Sequence, residues 1–404
     1  MKSEAAARRR RQHGSSARGR RRREDFNSGR VDCRPLQHLS TRRTGIIFLL
    51  FPFCPEINFQ PLLTSVPIVL QVPIKGMEQG ESVSLPVFIQ DMSPILLRTT
   101  PPGHTGQRQP RPFLSPQSQR LIFRLIELLF EEIPVRCFRQ IRRVHIMVCL
   151  QSERPFFSSR IQESPDRTRA QMRQNVNSMG LLIRDMIIYQ PDQGGRAGKP
   201  SVLPREVKHL INLMLLPDPI RMKVPIQYHS CLVPIEYRGF LFTIEYQFIM
   251  DVLRYADREG FRYVLRGLEP MGDWSVNVRN SNRYLQQFFN KGRYDPYGLR
   301  FQSNPILEPL DYNRNMPSHT LEGSVSRRYI NGMRFTRATI NRALYFEFEM
   351  VLANMSVGLH RLGHLHHLGL AVFFFHIRCI LMDLYIASLK PAWIHVYISS
   401  EPCL

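Results

Sequence analysis

The sequence predicts a helix-dominated α+β fold: a single globular domain with a disordered basic N-terminal arm and a hydrophobic C-terminal tail. Apolar residues in the middle of the chain recur mostly at helical spacing, with one stretch at strand-like spacing. No alternation of strand and helix patterns indicates a parallel sheet. The composition, 43% hydrophobic and 22% charged over 404 residues, is typical of a globular chain. The predicted segments are an arm (1–44), a proline-rich connector (45–116), a helix-rich domain (117–358) and a tail (359–404).

The arm is rich in arginine and carries almost half of the formal charge of the chain. Fourteen cationic residues against four acidic ones give it +10 of the total +22. It has few apolar residues, so burial cannot offset the entropy of ordering, and disorder is predicted. Guanidinium groups match phosphate oxygens, and neutralised phosphates release counterions. The candidate nucleic-acid-binding residues are those of its two basic runs: Arg8, Arg9, Arg10, Arg11, Arg20, Arg21, Arg22 and Arg23.

Two basic runs separated by a spacer are also typical of a bipartite nuclear localisation signal. The sequence therefore predicts a nuclear protein whose partners are nucleic acid and a nuclear import receptor. The alternatives are a solvated tail without a partner, a mis-assigned start of translation and a mitochondrial presequence. The presequence is disfavoured because contiguous arginines form no amphipathic stripe.

The connector is predicted from its prolines, which remove backbone donors from short apolar runs such as 66–72 and 83–89. Residues 100–116 consist of turn-forming types, so the domain boundary is placed at their end.

Three helices are predicted in the first half of the domain. The first covers 118–132 and ends before Pro134, with a polar face at Arg120, Arg124, Glu127 and Glu131. The second begins at residues 164–166, and its heptad-like stripe is too short to favour a coiled coil over packing inside the domain. This stripe consists of Met172, Val176, Met179, Ile183 and Met186. The third covers 204–216 and ends at the prolines that follow.

The second half of the domain is predicted to begin with a β-hairpin, whose strands 232–237 and 240–246 flank Arg238-Gly239. The expected elements after it are a helix from 248 that ends at Gly260, a short helix from Ser281 to Phe289, a turn-rich stretch at 293–323 and a helix at 336–355 that stops before Gly358.

No catalytic signature is found. The loop 194–201, GGRAGKPS, lacks the first glycine and the Ser/Thr of a phosphate-binding P-loop. His360, His364, His366 and His367 have the donor chemistry of a zinc site, but the motif contains no Glu base, and nearby glycines weaken the helix that it needs. Seven cysteines without a C-x-x-C pair favour a reducing compartment. The sequence therefore predicts no catalytic residue, no metal site and no cofactor.

The tail contains an apolar run at 368–386 that is long enough to cross a bilayer. His376, Arg378 and Asp383 lie inside it, and each charge near the middle of a lone span costs about 2.5 to 3.5 kcal/mol. A buried helix or a non-native tail is therefore favoured over a membrane span. The span is kept as the alternative, in which the chain is a C-terminally membrane-anchored protein with a cytoplasmic basic domain.

Residues 254–300 interleave arginines with aromatic residues, the two ingredients of sequence-tolerant single-strand binding. The favoured interpretation is nevertheless solvated helix faces over an aromatic core, because arginine is enriched throughout the chain. The arginines are Arg254, Arg258, Arg262, Arg266, Arg279, Arg283, Arg293 and Arg300. Taken with the arm, the sequence predicts a non-enzymatic nuclear protein that contacts nucleic acid or acts as a scaffold, and an enzyme of unrecognised chemistry is a further alternative.

Overall fold

The computed structural model describes residues 81–374 except 93, 101–109, 190–201, 269–273, 282–284, 287–288, 290–305, 320–328, 331–332 and 335. All described residues belong to one compact unit, Lys75–Leu404. The predictions for the arm, for the loop 194–201 and for most of the run 368–386 lie outside the described residues.

The described strands are short and pair only in antiparallel fashion. The largest sheet has the order β1-β4-β5, with β1 at Ser82–Ser84, β4 at Ile146–Cys149 and β5 at Pro155–Phe157. Two two-stranded sheets join β2 (Leu96–Thr99) to β3 (Arg111–Leu114) and β6 (Tyr329–Ile330) to β7 (Met333–Arg334). In the largest sheet Val83 lies opposite Val148, so apolar side chains meet on one face.

Helices make up most of the remaining described structure. The helices of the first half are α1 (Leu85–Asp91), α2 (Pro116–Glu132), α3 (Arg169–Ile188), α4 (Arg205–Met214), α5 (Lys223–Gln227) and α6 (Ile235–Gln247). Those of the second half are α7 (Arg254–Ala256), α8 (Arg258–Arg266), α9 (Trp274–Ser281), α10 (Leu307–His319), α11 (Arg337–Glu347) and α12 (Val351–Arg361). Short 3₁₀ segments lie at Arg143–His145, Pro219–Met222, Ser230–Leu232 and Leu365–Leu368. The chain is thus helix-rich with a few small sheets, as the predicted α+β class requires.

Part of the predicted connector packs into the same core as the domain. Leu85, Phe88 and Ile95 are buried, and β1 pairs with β4. The prolines here occupy tolerated positions: Pro86 lies in the first turn of α1, where the backbone N–H has no helical partner, and Pro112 lies in the two-stranded sheet. Proline content therefore did not mark a linker over residues 81–92, 94–100 and 110–114.

Helix α2 confirms the first predicted helix. The Ser115 hydroxyl caps it by accepting from the Ser118 N–H at 3.2 Å. Arg124, which was predicted on the polar face, is instead buried and donates to the carbonyl oxygen of Ser152. The apolar stripe is buried at Leu121, Ile122, Leu125, Ile126 and Leu129.

Helix α3 confirms the second predicted helix but starts later than predicted. Its N-cap is Thr168, whose hydroxyl accepts from the Gln171 N–H at 3.2 Å. The earlier residues are engaged in pairing, because Glu163 forms a β-bridge with Phe138 and the Ser164 N–H donates to the Cys137 carbonyl at 2.8 Å. The stripe packs within the domain against α2 and α4, and its buried members are Val176, Met179, Ile183 and Met186. Helix α4 confirms the third prediction.

The predicted β-hairpin at 232–246 is wrong, because helix α6 covers these residues from Ile235 onward. Its buried positions follow helical spacing, but two of them are charged: Ile235, Arg238, Leu241, Phe242 and Glu245. The partners of both charged residues come from distant parts of the chain. The residues on the inward face of α6 therefore do not form an apolar stripe in the sequence, and the helix could not be predicted from such a stripe.

Helix α6 continues through a π-helical turn, Phe248–Leu253, into α7. Gly260 does not end this helix as predicted. The chain breaks at Asp257, whose carboxylate caps the next helix, α8, by accepting from the N–H groups of Glu259 at 3.1 Å and Gly260 at 2.9 Å.

Three other predictions for the second half are also corrected. Ser281 is the last residue of α9, not the cap of a helix. Helix α10 lies within the stretch predicted to be turns. The last predicted helix is two helices, α11 and α12, separated at Phe348–Met350, and Gly358 lies inside α12. Its predicted inward residues Ile340, Leu344 and Met355 are nonetheless buried.

Candidate nucleic-acid interface

Helix α8 presents a row of arginines on the side opposite to its buried residues. Gly260 and Val264 are buried four residues apart, whereas Arg258, Arg262 and Arg266 are exposed. The two rows are offset by two residues, which is about 200° around an α-helix. The three arginines lie within nine residues, and the first and last are about 12 Å apart along the helix axis.

Close packing against α12 holds α8 in place. A Cβ on Gly260 would lie 3.1 Å from Leu362 Cδ1, and a Cβ on Gly358 would lie 3.3 Å from Val264 Cγ2. The absence of a side chain at these two positions therefore allows the two helices to approach closely. The arginine row is consequently carried on a rigid element rather than on a loop.

Two exposed tyrosines and a fourth arginine adjoin the row. Tyr255 is 75% exposed and Tyr263 is 39% exposed. Arg361, at the end of α12, donates from Nη1 to the hydroxyl oxygen of Tyr263 at 3.2 Å and is itself exposed. We refer to this set as the α8 face: Tyr255, Arg258, Arg262, Tyr263, Arg266 and Arg361.

The arginine row of the α8 face is not neutralised within the described part of the chain. Arg258, Arg262 and Arg266 form no salt bridge with any described residue, in contrast to Arg136 and Arg342, each of which pairs with a glutamate. The acidic side chain exposed on α8 itself is Glu259. A phosphate could thus be bound by the row without breaking an ion pair to any residue that the structure describes.

The structure separates the arginines and aromatic residues that the sequence had grouped together. Trp274 and Phe289 are buried and contact Tyr312, so they belong to the core and are not surfaces for base stacking. Arg279 donates to the carbonyl oxygen of Ser275 at 3.1 Å and covers the Phe289 ring at 5.6 Å. Arg283, Arg293 and Arg300, like the arm arginines Arg8 to Arg11 and Arg20 to Arg23, lie outside the described residues. Arg361 was missed, because nothing in the sequence links it to a helix some hundred residues away.

A buried ion pair joins α4 and α6. Glu206 accepts from Arg238, and its second oxygen accepts from the Ser230 hydroxyl at 2.8 Å. Arg238 also donates to the Val233 carbonyl at 2.8 Å and lies 4.3 Å from the Tyr345 ring centroid. Burial disfavours the charge of Arg238, but the neighbouring Glu206 and Tyr345 raise its pKa overall. The arginine therefore stays charged and ties α4, α6 and α11 together.

The cavity beside this ion pair is too small for a metabolite. Its volume is about 40 Å³, and its lining includes Glu206, Arg238, Asn341 and Phe348. One buried water molecule requires about 10 to 15 Å³ of cavity volume, so the cavity has room for a few water molecules only. We conclude that the pair is structural.

Two further buried polar pairs lie nearby. His229 Nδ1 accepts from the Cys231 N–H at 3.2 Å, so its Nε2–H donates to His209 Nδ1 at 2.8 Å. Burial lowers the pKa of both imidazoles, which keeps them neutral. The Ser356 hydroxyl donates to Glu245 Oε1 at 2.5 Å, and burial raises the pKa of Glu245 to about 8.

The histidines of the tail have different partners. His360 Nε2 donates to the Arg221 carbonyl at 2.6 Å, while the His364 ring contacts Phe248 with centroids 5.4 Å apart. His366 and His367 are exposed, with centroids 3.7 Å apart. Within the described ranges no group of three or more His, Cys, Asp or Glu side chains is arranged to hold a metal ion.

The described part of the tail begins the apolar run. Leu370 and Phe374 are buried, and the Phe374 ring lies 5.0 Å from the Tyr228 ring. Among the helices that the structure describes, none combines the length and the apolar character that crossing a bilayer requires.

Comparison with known proteins yields no relative: no protein-family model matches the chain, and no curated protein and no solved structure is significantly similar to it.

Proposed function

We propose that this chain is a non-enzymatic nuclear protein that contacts nucleic acid through its arginine-rich arm and through the α8 face. The arm, residues 1–44, is disordered in this proposal and contributes mobile positive charge from Arg8 to Arg11 and Arg20 to Arg23. The α8 face contributes fixed charge from a rigid helix. A folded scaffold for a partner protein is the second role that the domain would serve.

The observation that carries this proposal is the row of three exposed arginines without acidic partners among the described residues. An ion pair at the protein surface contributes little to the stability of the fold, so the fold does not require these arginines to be paired. A row of unpaired guanidinium groups beside exposed tyrosines combines phosphate contacts with stacking surfaces for bases. The formal charge of +22 supports the same class of partner, because it attracts polyanions over the whole surface.

Binding should be electrostatic and poorly sequence-specific. Titration of the full chain with labelled single-stranded and duplex oligonucleotides at several salt concentrations tests this expectation. The plot of log affinity against log salt should fall by about 0.7 per phosphate neutralised on a single strand and about 0.9 on a duplex. An affinity that does not depend on salt concentration, or a strong preference for one nucleotide sequence, contradicts the proposal.

Single substitutions distinguish the contribution of the α8 face to binding affinity from that of the net charge. Arg262→Gln should weaken binding and reduce the salt slope by about 0.7 on a single strand, whereas Arg262→Lys should retain most of the affinity. Arg98→Gln is the matched control, because Arg98 is an exposed arginine on β2. Equal losses in the Arg98 and Arg262 variants would show that net charge alone decides the affinity.

Nuclear accumulation is tested separately. Replacement of Arg20 to Arg23 with alanine should move the full chain to the cytoplasm, because an import receptor recognises accessible basic clusters. An unchanged nuclear signal, or none in the unmodified chain, contradicts this part of the proposal.

The membrane-anchored alternative rests on the apolar run 368–386. Carbonate extraction of membranes from cells that express the full chain distinguishes the two proposals. Protein that resists extraction, and is released when residues 368–404 are deleted, would favour the anchor. The packing of Leu370 and Phe374 in the core supports the buried interpretation for the start of the run.

A further inference from the structure

A second basic surface lies on two loops that run side by side. The loop 139–145 and the loop 158–168 are joined by hydrogen bonds from the Arg139 N–H to the Gln162 carbonyl at 3.0 Å and from the Ser158 N–H to the His145 carbonyl at 2.9 Å. The β-bridge between Phe138 and Glu163 extends this pairing. The two loops therefore form one surface with a defined backbone.

Buried residues anchor these loops. Phe138, Ile141 and Ile161 are buried, and Asn175 of α3 holds the backbone of Phe138 through two hydrogen bonds. Arg139, Arg142, Arg160 and Arg167 are exposed, and Arg143 is partly exposed. We refer to these five arginines as the loop surface.

The loop surface carries positive charge that the described residues leave unpaired. None of its five arginines forms a salt bridge in the described part of the chain, and Arg142 Nε donates only to the neutral Gln140 side chain at 2.9 Å. Of the two acids on these loops, Glu163 is engaged by Arg136 at 3.1 Å, which leaves Asp166. The surface is not visible in the sequence, because its arginines are divided between two segments.

A chain of contacts connects the loop surface to the α8 face. Arg169, next to the second loop, pairs with Asp218 at 2.6 Å, and Arg221 pairs with the same carboxylate at 3.1 Å. The Arg221 carbonyl accepts from His360 at 2.6 Å, and the neighbouring Arg361 belongs to the α8 face. The Arg221 side chain is 79% exposed. Arg169, Arg221 and Arg361 are thus exposed cations between the two surfaces, and the first two share the Asp218 carboxylate.

We propose that the loop surface is a second phosphate-binding surface, and that Arg221 joins it to the α8 face in one continuous track for a single strand of nucleic acid. This inference rests on the proposed function and specifies its ligand. The track passes from loops over a 3₁₀ segment to a helix, a path that a flexible strand can follow. A duplex resists bending over such short distances, with a persistence length of about 150 base pairs. The exposed Tyr255 and Tyr263 at one end supply stacking surfaces that only unpaired bases can use.

The test measures the affinity of the full chain for unstructured oligonucleotides of about 6 to about 40 nucleotides, a range that brackets the footprints of known single-strand modules. The variants are the double substitution Arg142→Gln with Arg160→Gln, the single substitution Arg221→Gln, and a control that combines Arg98→Gln with Arg205→Gln. Arg98 and Arg205 are exposed, and Arg205 begins α4 at the end away from the Pro219–Met222 segment.

The loop-surface variant should bind long oligonucleotides about three- to ten-fold more weakly, with a salt slope lower by about 1.4 for two lost phosphate contacts. The shortest oligonucleotides should bind the variant and the unmodified chain alike, because they cannot reach from the α8 face to the loops. Arg221→Gln should show a smaller loss with the same length dependence. Unchanged melting temperatures will confirm that the surface substitutions leave the fold intact.

Three outcomes overturn the inference. If the loop-surface variant behaves as the control does at all lengths, while substitution of Arg20 to Arg23 still weakens binding, the track is refuted and the proposed function stands. If the unmodified chain shows no salt-dependent binding, the proposed function itself fails. If the loop-surface substitutions weaken the binding of duplexes as much as that of single strands of the same length, the track does not prefer a single strand.

Discussion

The side chain of Asn175 hydrogen-bonds both backbone polar groups of Phe138, accepting from its N–H at 2.9 Å and donating to its carbonyl at 2.6 Å. Both residues are fully buried, and they lie on different elements. Asn175 therefore takes the place of a neighbouring strand, because it supplies hydrogen-bond partners for the buried N–H and carbonyl groups of Phe138. The loop surface depends on this contact for its backbone position.

Truncation of Asn175 should destabilise the domain. Asn175→Ala leaves the Phe138 N–H buried without an acceptor, while the carbonyl retains the Gln171 side chain at 2.7 Å. An unsatisfied buried donor costs about 1 to 3 kcal/mol, and urea denaturation should show a loss of this size. Asn212→Ala, at an exposed position of α4, is the control and should change the free energy of unfolding by less than about 0.5 kcal/mol. Similar losses in both variants would mean that the contact with Phe138 adds no stability.

The buried carboxyl of Glu245 should make stability fall as the pH rises. Its pKa is about 8 in the folded chain against an ordinary value of 4.5, and its Oε2 has no hydrogen-bond partner among the described residues. Between these values the folded chain retains a proton that the unfolded chain loses, so stability decreases by about 1.4 kcal/mol per pH unit.

Glu245→Gln, which cannot ionise, should therefore melt at a higher temperature than the unmodified chain at pH 8, and the difference should shrink towards pH 5. Melting curves recorded across this range give the comparison, with Glu259→Gln on the surface as the control. A constant difference at all pH values would show that Glu245 does not titrate in this window.

The ion pair between Glu206 and Arg238 should show strong coupling in a double-mutant cycle. Arg238→Met alone leaves a buried carboxylate unpaired and should cost about 3 to 5 kcal/mol. Glu206→Leu alone leaves a buried guanidinium unpaired, with a similar cost. The double variant should lose clearly less than the sum, because it leaves no buried charge without a partner. The carbonyls of Cys231 and Val233 still accept from Gln119 at 3.1 Å and 3.2 Å. Additive losses, measured by chemical denaturation, would show that the pair is not coupled.

The two glycines at the contact of α8 and α12 should respond differently to alanine. A Cβ on Gly260 would lie 2.3 Å from Asp257 Oδ2, so the capping carboxylate must move, which costs about 1 kcal/mol or more. At Gly358 the nearest atom is a methyl group of Val264 at 3.3 Å, and the gain in helix propensity of about 1 kcal/mol offsets this tighter contact. Gly260→Ala should thus lower the melting temperature and Gly358→Ala should leave it nearly unchanged. The reverse order would indicate that Asp257 is not the cap that starts α8.

Helices α2 and α3 could be predicted from the sequence because their buried faces are purely local patterns. Leu121, Leu125 and Leu129 recur every four residues, and so do Met179, Ile183 and Ile187. Such a stripe indicates a helix whatever it packs against. The regular spacing of Arg258, Arg262 and Arg266 is likewise visible in the sequence, but the sequence favoured a solvated helix face for these arginines over a binding surface.

Helix α6 and the basic surfaces were decided by tertiary structure. Arg238 and Glu245 are inward residues of α6 only because Glu206 and Ser356, distant in sequence, supply their partners, and no local pattern contains that information. Arg361 contacts Tyr263 only in the folded chain. Likewise, backbone hydrogen bonds of the fold place the loop of Arg142 beside the loop of Arg160. Local sequence patterns are sufficient to predict α2, α3 and α4 and the excess of positive charge. The tertiary structure decided which charges are buried in pairs and which remain exposed, because burying a charge requires a partner that only the folded chain brings within reach.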